Sequence, residues 1–181
     1  MPSEQIVLYE IKNSRESEET PTAMEQVFAA LGTGGSHGGF LQTLFGKKHA
    51  TNFYSLELVS VNAGIHFLVG IPQRLAVFVE SQLTAHYPKL LFAPAPDYTP
   101  HFLSLPHAIS QLVLGNAYYY PLKNYKDVKD VDLLASVLGQ MAKLPANEAV
   151  AIQIRVTPAG NSWQRAAAGV VAAGIPDPTP T

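Results

Sequence analysis

Hydrophobic positions along this chain switch between two periods, and the switches mark its elements. IVLYEI (6–11) carries apolar residues on both faces of an extended segment and predicts a strand. The charged stretch NSRESEET follows as a loop. In PTAMEQVFAALG (21–32) the period becomes helical: Met24, Val27, Phe28 and Leu31 fall at i, i+3, i+4 and i+7 and form one stripe. Pro21 suits a first helical position, Thr22 and Glu25 have capping-box spacing, and Gly32 is placed to stop the helix. FYSLELVSV (53–61) alternates, with Tyr54, Leu56 and Leu58 on one face and Ser55 and Glu57 on the other. Asn62, Ala63 and Gly64 are turn material. GIHFLVGI (64–71) then sets Ile65, Phe67, Val69 and Ile71 on one face, which predicts a hairpin. Pro72 opens a helix carrying Leu75, Phe78, Val79 and Leu83, and LLFAPAP (90–96) is a short strand ended by prolines.

The resulting order, β-α-β-β-α-β, predicts an α+β fold: a ferredoxin-like module over 1–96, with an antiparallel sheet and two helices on one face. Residues 97–106 read as a proline-rich connector. A second, incomplete module of the same kind is expected over 107–175. Its HAISQLVLGNAYYYPL (107–122) reads as a long strand kinked near Gly115. A helix follows with Leu134, Val137, Leu138 and Met141 as its stripe. Next comes a strand alternating Val150, Ile152, Ile154 and Val156 against Ala151, Gln153 and Arg155. NSWQRAAAGVVAAG closes it as a small-residue helix, with Trp163 expected to anchor it on the sheet. Residues 176–181 read as a disordered tail. Ile11, Lys12 and Asn13 match Leu122, Lys123 and Asn124 at the ends of the two leading strands, which suggests a degenerate duplication. The second copy lacks the hairpin partner and the closing strand.

Composition narrows the class. At 181 residues the chain fits one domain or two small modules. Apolar residues make up 47 % and charged residues only 14 %, so a packed core is accessible and disorder is not favoured. The net charge of −2 supplies no basic field for nucleic acid. Six glutamates among the first 31 residues outweigh Lys12 and Arg15. With no cysteine, disulfides, thiolate metal sites and cysteine catalysis are excluded. Neither a signal peptide nor an apolar run of about 20 residues is visible, and a cytoplasmic chain is expected.

The densest chemical signal is GTGGSHGG (32–39), which contains G-x-S-x-G around Ser36. A nucleophile elbow needs a strand before the serine and a helix after it; here a helix precedes, and FLQTLFGKKHATN has no helix start. A flexible connection is the better account, with a small serine hydrolase using Ser36 as the least favoured alternative. Phosphate-binding patterns fail on spacing: Gly46 and Lys47 are followed by Lys48, and the third glycine of a dinucleotide fingerprint is replaced by His37. No cofactor is implied. His37 with His49, and His101 with His107, share loops without a convergent ligand set, so no metal site is read. Lys47 and Lys48 near Phe53 and Tyr54 could touch a nucleic-acid backbone, and Tyr118, Tyr119 and Tyr120 could stack on bases. The structural alternative for the tyrosines is a strand end with one ring buried and two at its rim.

Taken together, PTAMEQVFAALG, YSLELVSVNAGIHFLVGIPQRLAVFVESQLTAHYP, YYYPLKNYKDV with DLLASVLGQMAKL, and EAVAIQIRVTPAGNSWQ resemble the N-terminal region of bacterial conjugative-transfer or type IV secretion ATPases of the HerA/FtsK class. The resemblance covers about residues 6–167 and rests on pattern, not on a catalytic motif. It implies a regulatory, substrate-contacting or assembly domain that precedes a motor. No Walker motif is present and no catalytic residue carries over, so the chain is read as non-enzymatic, either excised from a longer protein or free-standing. The implied partner is such an ATPase or a second copy of the chain. Tyr118, Tyr119, Tyr120, Lys47 and Lys48 are the candidate contact residues.

Overall fold

The structure, a computed structural model, describes residues 5–14, 19–34, 53–120, 122–124, 126–127, 132, 134–157 and 159–174. Strand β1 (Ile6–Lys12) leads to helix α1 (Pro21–Gly34), and β2 (Tyr54–Val61) and β3 (Gly64–Pro72) follow as a hairpin. One 3-10 turn (Gln73–Leu75) enters α2 (Ala76–His86), and β4 (Leu91–Ala95) closes the first run of elements. Then come the short α3 (Thr99–Leu103), α4 (Ala135–Met141), β5 (Val150–Val156) and α5 (Ser162–Ala172). The fold is α+β, as the pattern of periods predicts.

All five strands form one antiparallel sheet in the order β4-β1-β3-β2-β5. The hairpin turns on Asn62 and Ala63, both at positive φ (50° and 60°), which matches the twist of the flanking strands. Register pairs Tyr54 with Ile71 and Leu56 with Val69, so the apolar set of each strand lands on one face. Helices α1 and α2 pack side by side against that face. Val27 and Leu31 of α1, Val79 and Leu83 of α2, and Tyr54, Val69 and Ile71 of the sheet make the core. Fully burying one such aliphatic side chain is worth about 1.5–3 kcal/mol. Helix α1 runs past Gly32, because the cost of about 1 kcal/mol for a glycine is outweighed by the packing of Val27 and Leu31 in the turns before it.

Two expectations are corrected. First, 107–122 is not a strand: 107–114 take no regular structure, the chain bends at Gly115 and Asn116, and a turn follows over Tyr118 and Tyr119. Its apolar residues find no ladder partner among the described residues, and β-propensity without a paired edge does not hold a strand. Second, β5 does not found a second sheet. It pairs along its whole length with β2, from Tyr54 opposite Val156 to Ser60 opposite Val150, because its alternation matches that of β2. The expected two helices lie on one face of the sheet, and part of the opposite face is covered as well. Val59 and Leu68 lie on the face away from α1 and α2 yet are 1 % and 7 % exposed.

By contact density the chain divides into two units, Met1–His107 with Asp132–Pro158, and Ala108–Val131 with Ala159–Thr181. The sheet and α1 to α4 belong to the first. In the second, Trp163 is 41 % exposed. Among the described residues, no helix is long and apolar enough to cross a membrane.

Candidate functional site

Alternation in β2 sends Ser55 and Glu57 away from the helices, onto the face where a strand exposed to water carries polar groups. Here both are buried, at 2 % and 5 % exposure. A buried carboxylate is costly unless hydrogen-bonded, and Glu57 is bonded three times. Ser55 Oγ donates to its Oε1 at 2.5 Å, Gln153 Nε2 of β5 donates to the same oxygen at 2.9 Å, and the Tyr98 hydroxyl donates to Oε2 at 2.7 Å. Gly70 makes this possible. A Cβ there would collide with Ser55 Oγ and stand 3.3 Å from Glu57 Oε1, so only glycine leaves the space.

Tyr98 comes from the connector after β4. Asp97 Oδ1 accepts the Thr99 amide at 2.8 Å and starts the single turn of α3, which sets Tyr98 and Phe102 on one side with their rings edge to face at 5.3 Å. The Tyr98 phenol is held well above its ordinary value, first by burial, then by its hydrogen bond to the Glu57 carboxylate and by the charges of Glu57 and Asp97. It therefore remains a donor through neutral pH. Ser55, Glu57, Tyr98 and Gln153, with Ile6 and Leu8, line a cavity of about 550 Å³. At its rim the Arg155 guanidinium lies over the Phe53 ring, 4.2 Å from the centroid.

Chemically, this arrangement is a clasp. Three donors occupy one carboxylate, and the Tyr98 bond fastens the 97–103 segment to the sheet. Sequence reading missed it, since Glu57 looks like an ordinary outward residue of an alternating strand. The available signal was Gly70 within an otherwise apolar strand, which marks a close approach. Toward the opposite end of the same face, Glu10 pairs with His66 at 2.8 Å and Lys12 at 3.0 Å; these bonds, His66 first, hold its carboxyl below the usual range.

Of the residues singled out from sequence, Tyr118, Tyr119 and Tyr120 are gathered into one cluster. Tyr118 and Tyr119 meet edge to face at 5.7 Å, and Tyr119 and Tyr120 tilt together at 4.9 Å. They sit in a turn closed by the Tyr120 amide on the Ala117 carbonyl, not at a strand end. Tyr118 is 62 % exposed and the other two are half-buried. Ser36, His37, Lys47, Lys48 and His49 lie outside the described residues, as does the tail over 176–181. His101 and His107 are exposed, and no three histidine or acidic side chains converge as metal ligands among the described residues.

Upstream of the tyrosines, Ile109, Leu112, Val113 and Leu114 are exposed together. Comparison of this chain with family models, curated proteins and solved structures finds no match.

Proposed function

We propose that this chain is a non-enzymatic assembly or substrate-contacting domain that works by protein contact. The observation that carries this reading is the exposure of Ile109, Leu112, Val113 and Leu114 in an uncharged segment. The Glu57 clasp supports it too. Its donors fill the carboxylate and fix backbone, which suits a scaffold better than a reacting centre. The partner class, a conjugation or type IV secretion ATPase met on the cytoplasmic side, follows from the resemblance alone. Immobilised chain challenged with such a motor domain is expected to retain it. Replacing Leu112 and Val113 by aspartate is expected to abolish retention while the circular dichroism stays unchanged. Equal retention by wild type and variant ends this reading.

A second reading rests on the tyrosine cluster. Tyr118, exposed and edge-on to Tyr119, presents a ring on which an unpaired base could stack, making the chain a single-strand nucleic-acid binder. A fluorescence titration with single-stranded DNA at low salt tests it, because backbone contacts are strongest there. Binding that Tyr118→Ala does not weaken would argue against it, as would no binding at all.

A further inference from the structure

The far face of the sheet has a gap built into it. Register sets Ala95, Leu8, Gly70, Ser55 and Arg155 side by side across the five strands, on the face away from α1 and α2. Alanine, glycine and serine are too small to fill such a row, and the Ser55 hydroxyl is engaged by Glu57. Asp97, Tyr98 and Thr99 wall the space that remains, a cavity of about 550 Å³. That volume lies in the range of small-molecule sites. Every residue that lines it belongs to the sheet unit.

Two groups of opposite charge line this space. One is Arg155, whose guanidinium stands over the Phe53 ring at 4.2 Å from the centroid. A guanidinium held over a ring keeps its in-plane donors for a carboxylate, which it grips through two parallel bonds. The other is Glu57, which is 5 % exposed. Among the described residues, two donors reach its Oε1 and one reaches its Oε2. A carboxylate has about four acceptor positions, so one on Oε2 is left for a further donor. A hydroxyl matches it, because a second cation would be repelled by Arg155. Between the two groups Ile6, Leu8 and Ala95 supply apolar wall. Gln153 stands opposite Glu57, and Arg155 is two residues further along β5, a step of about 7 Å. A benzene ring or a short alkyl chain bridges such a step.

We propose that this cavity binds a small hydroxylated organic acid. Its carboxylate pairs with Arg155, its apolar body lies against Ile6 and Leu8, and its hydroxyl donates to Glu57 Oε2. This goes beyond the contact reading above and does not depend on it.

Calorimetric titration of the full chain with para-hydroxybenzoate at millimolar concentrations is the test. The acid is expected to bind. Benzoate and para-hydroxybenzamide each lack one end and are expected to bind roughly tenfold more weakly or worse. Arg155→Gln removes the charge from an exposed position and is expected to weaken binding of the acid by about the same factor. Ala95→Trp fills the row of small residues from the half-buried edge strand and is expected to abolish binding. Circular dichroism of both variants checks that the sheet is intact. No binding by wild type overturns the proposal. So does binding that Arg155→Gln leaves unchanged, or binding that does not distinguish the acid from benzoate and from the amide. Wild-type affinity in a folded Ala95→Trp variant places the ligand elsewhere and overturns it too. Retention of a motor domain is a separate measurement, so failure here and failure of the contact reading are told apart.

Discussion

At the scale of single residues, the informative side chains are those whose surroundings contradict their type. Glu57 is an acid in a buried position, and Tyr98 is the aromatic that makes the burial tolerable. Tyr98→Phe keeps the ring and deletes the bond to the carboxylate. It is expected to lower unfolding free energy by about 1.5–3 kcal/mol, the scale of a hydrogen bond to a charged group, measured by urea titration. The sign of its pH dependence follows from the raised phenol value. Stability from this bond is whole below the ordinary tyrosine value of 10.0 and is lost as pH rises toward the folded-state value. The gap between wild type and Tyr98→Phe should therefore be flat from neutral pH up to that value and narrow above it; a gap that widens instead would refute the assignment. Ala63 is the opposite case, a residue with a Cβ held at φ 60°. Ala63→Gly is expected to stabilise the hairpin by about 1 kcal/mol, read from the same titration. Asn62 and Ala63 as turn residues were legible in the sequence, whereas the clasp was not, because nothing local tells an outward Glu57 that residue 98 will return over it.

Among elements, the hairpin and the two helices that cover it were readable because each buries one face, and a buried face prints its period on the chain. The lone glycine of β3 records a different constraint. Gly70→Ala is expected to cost about 1–3 kcal/mol by forcing Ser55 and Glu57 aside. Adding Ser55→Ala should recover part of that loss, since the colliding Oγ is gone; additive losses would mean that the collision is not the cause. Strand β5 shows why element type and element partner are separate questions. Its alternation announced a strand, but the same alternation fits any sheet edge of matching pattern, and β2 was the edge available. The run at 107–122 makes the converse point. Strand-like composition predicts readiness to pair, and pairing needs an edge.

For the whole molecule, the division into two units sets what can be removed. No residue of α5 is buried, whereas the sheet unit holds the core. Truncation after Thr157 is expected to shift the thermal midpoint by less than about 4 °C, equivalent to about 1 kcal/mol. A larger fall, followed by calorimetry, would show that α5 contributes to the stability of the sheet unit. The tyrosine cluster and the apolar run at 109–114 also belong to the second unit, so their variants should alter association more than melting.

Sequence alone determined the α+β class, the order of the first elements and the faces of β2 and β3. Each of these is a local periodicity set by which side meets the core. Only the tertiary structure decided that β5 closes the same sheet, that the connector crosses its far face and that Glu57 is buried beneath Tyr98. Those outcomes depend on which distant segments meet, and Tyr98 and Glu57 meet across 41 residues of chain. A pattern of period 2 or 3.6 carries the direction of a side chain, not the identity of what it will touch.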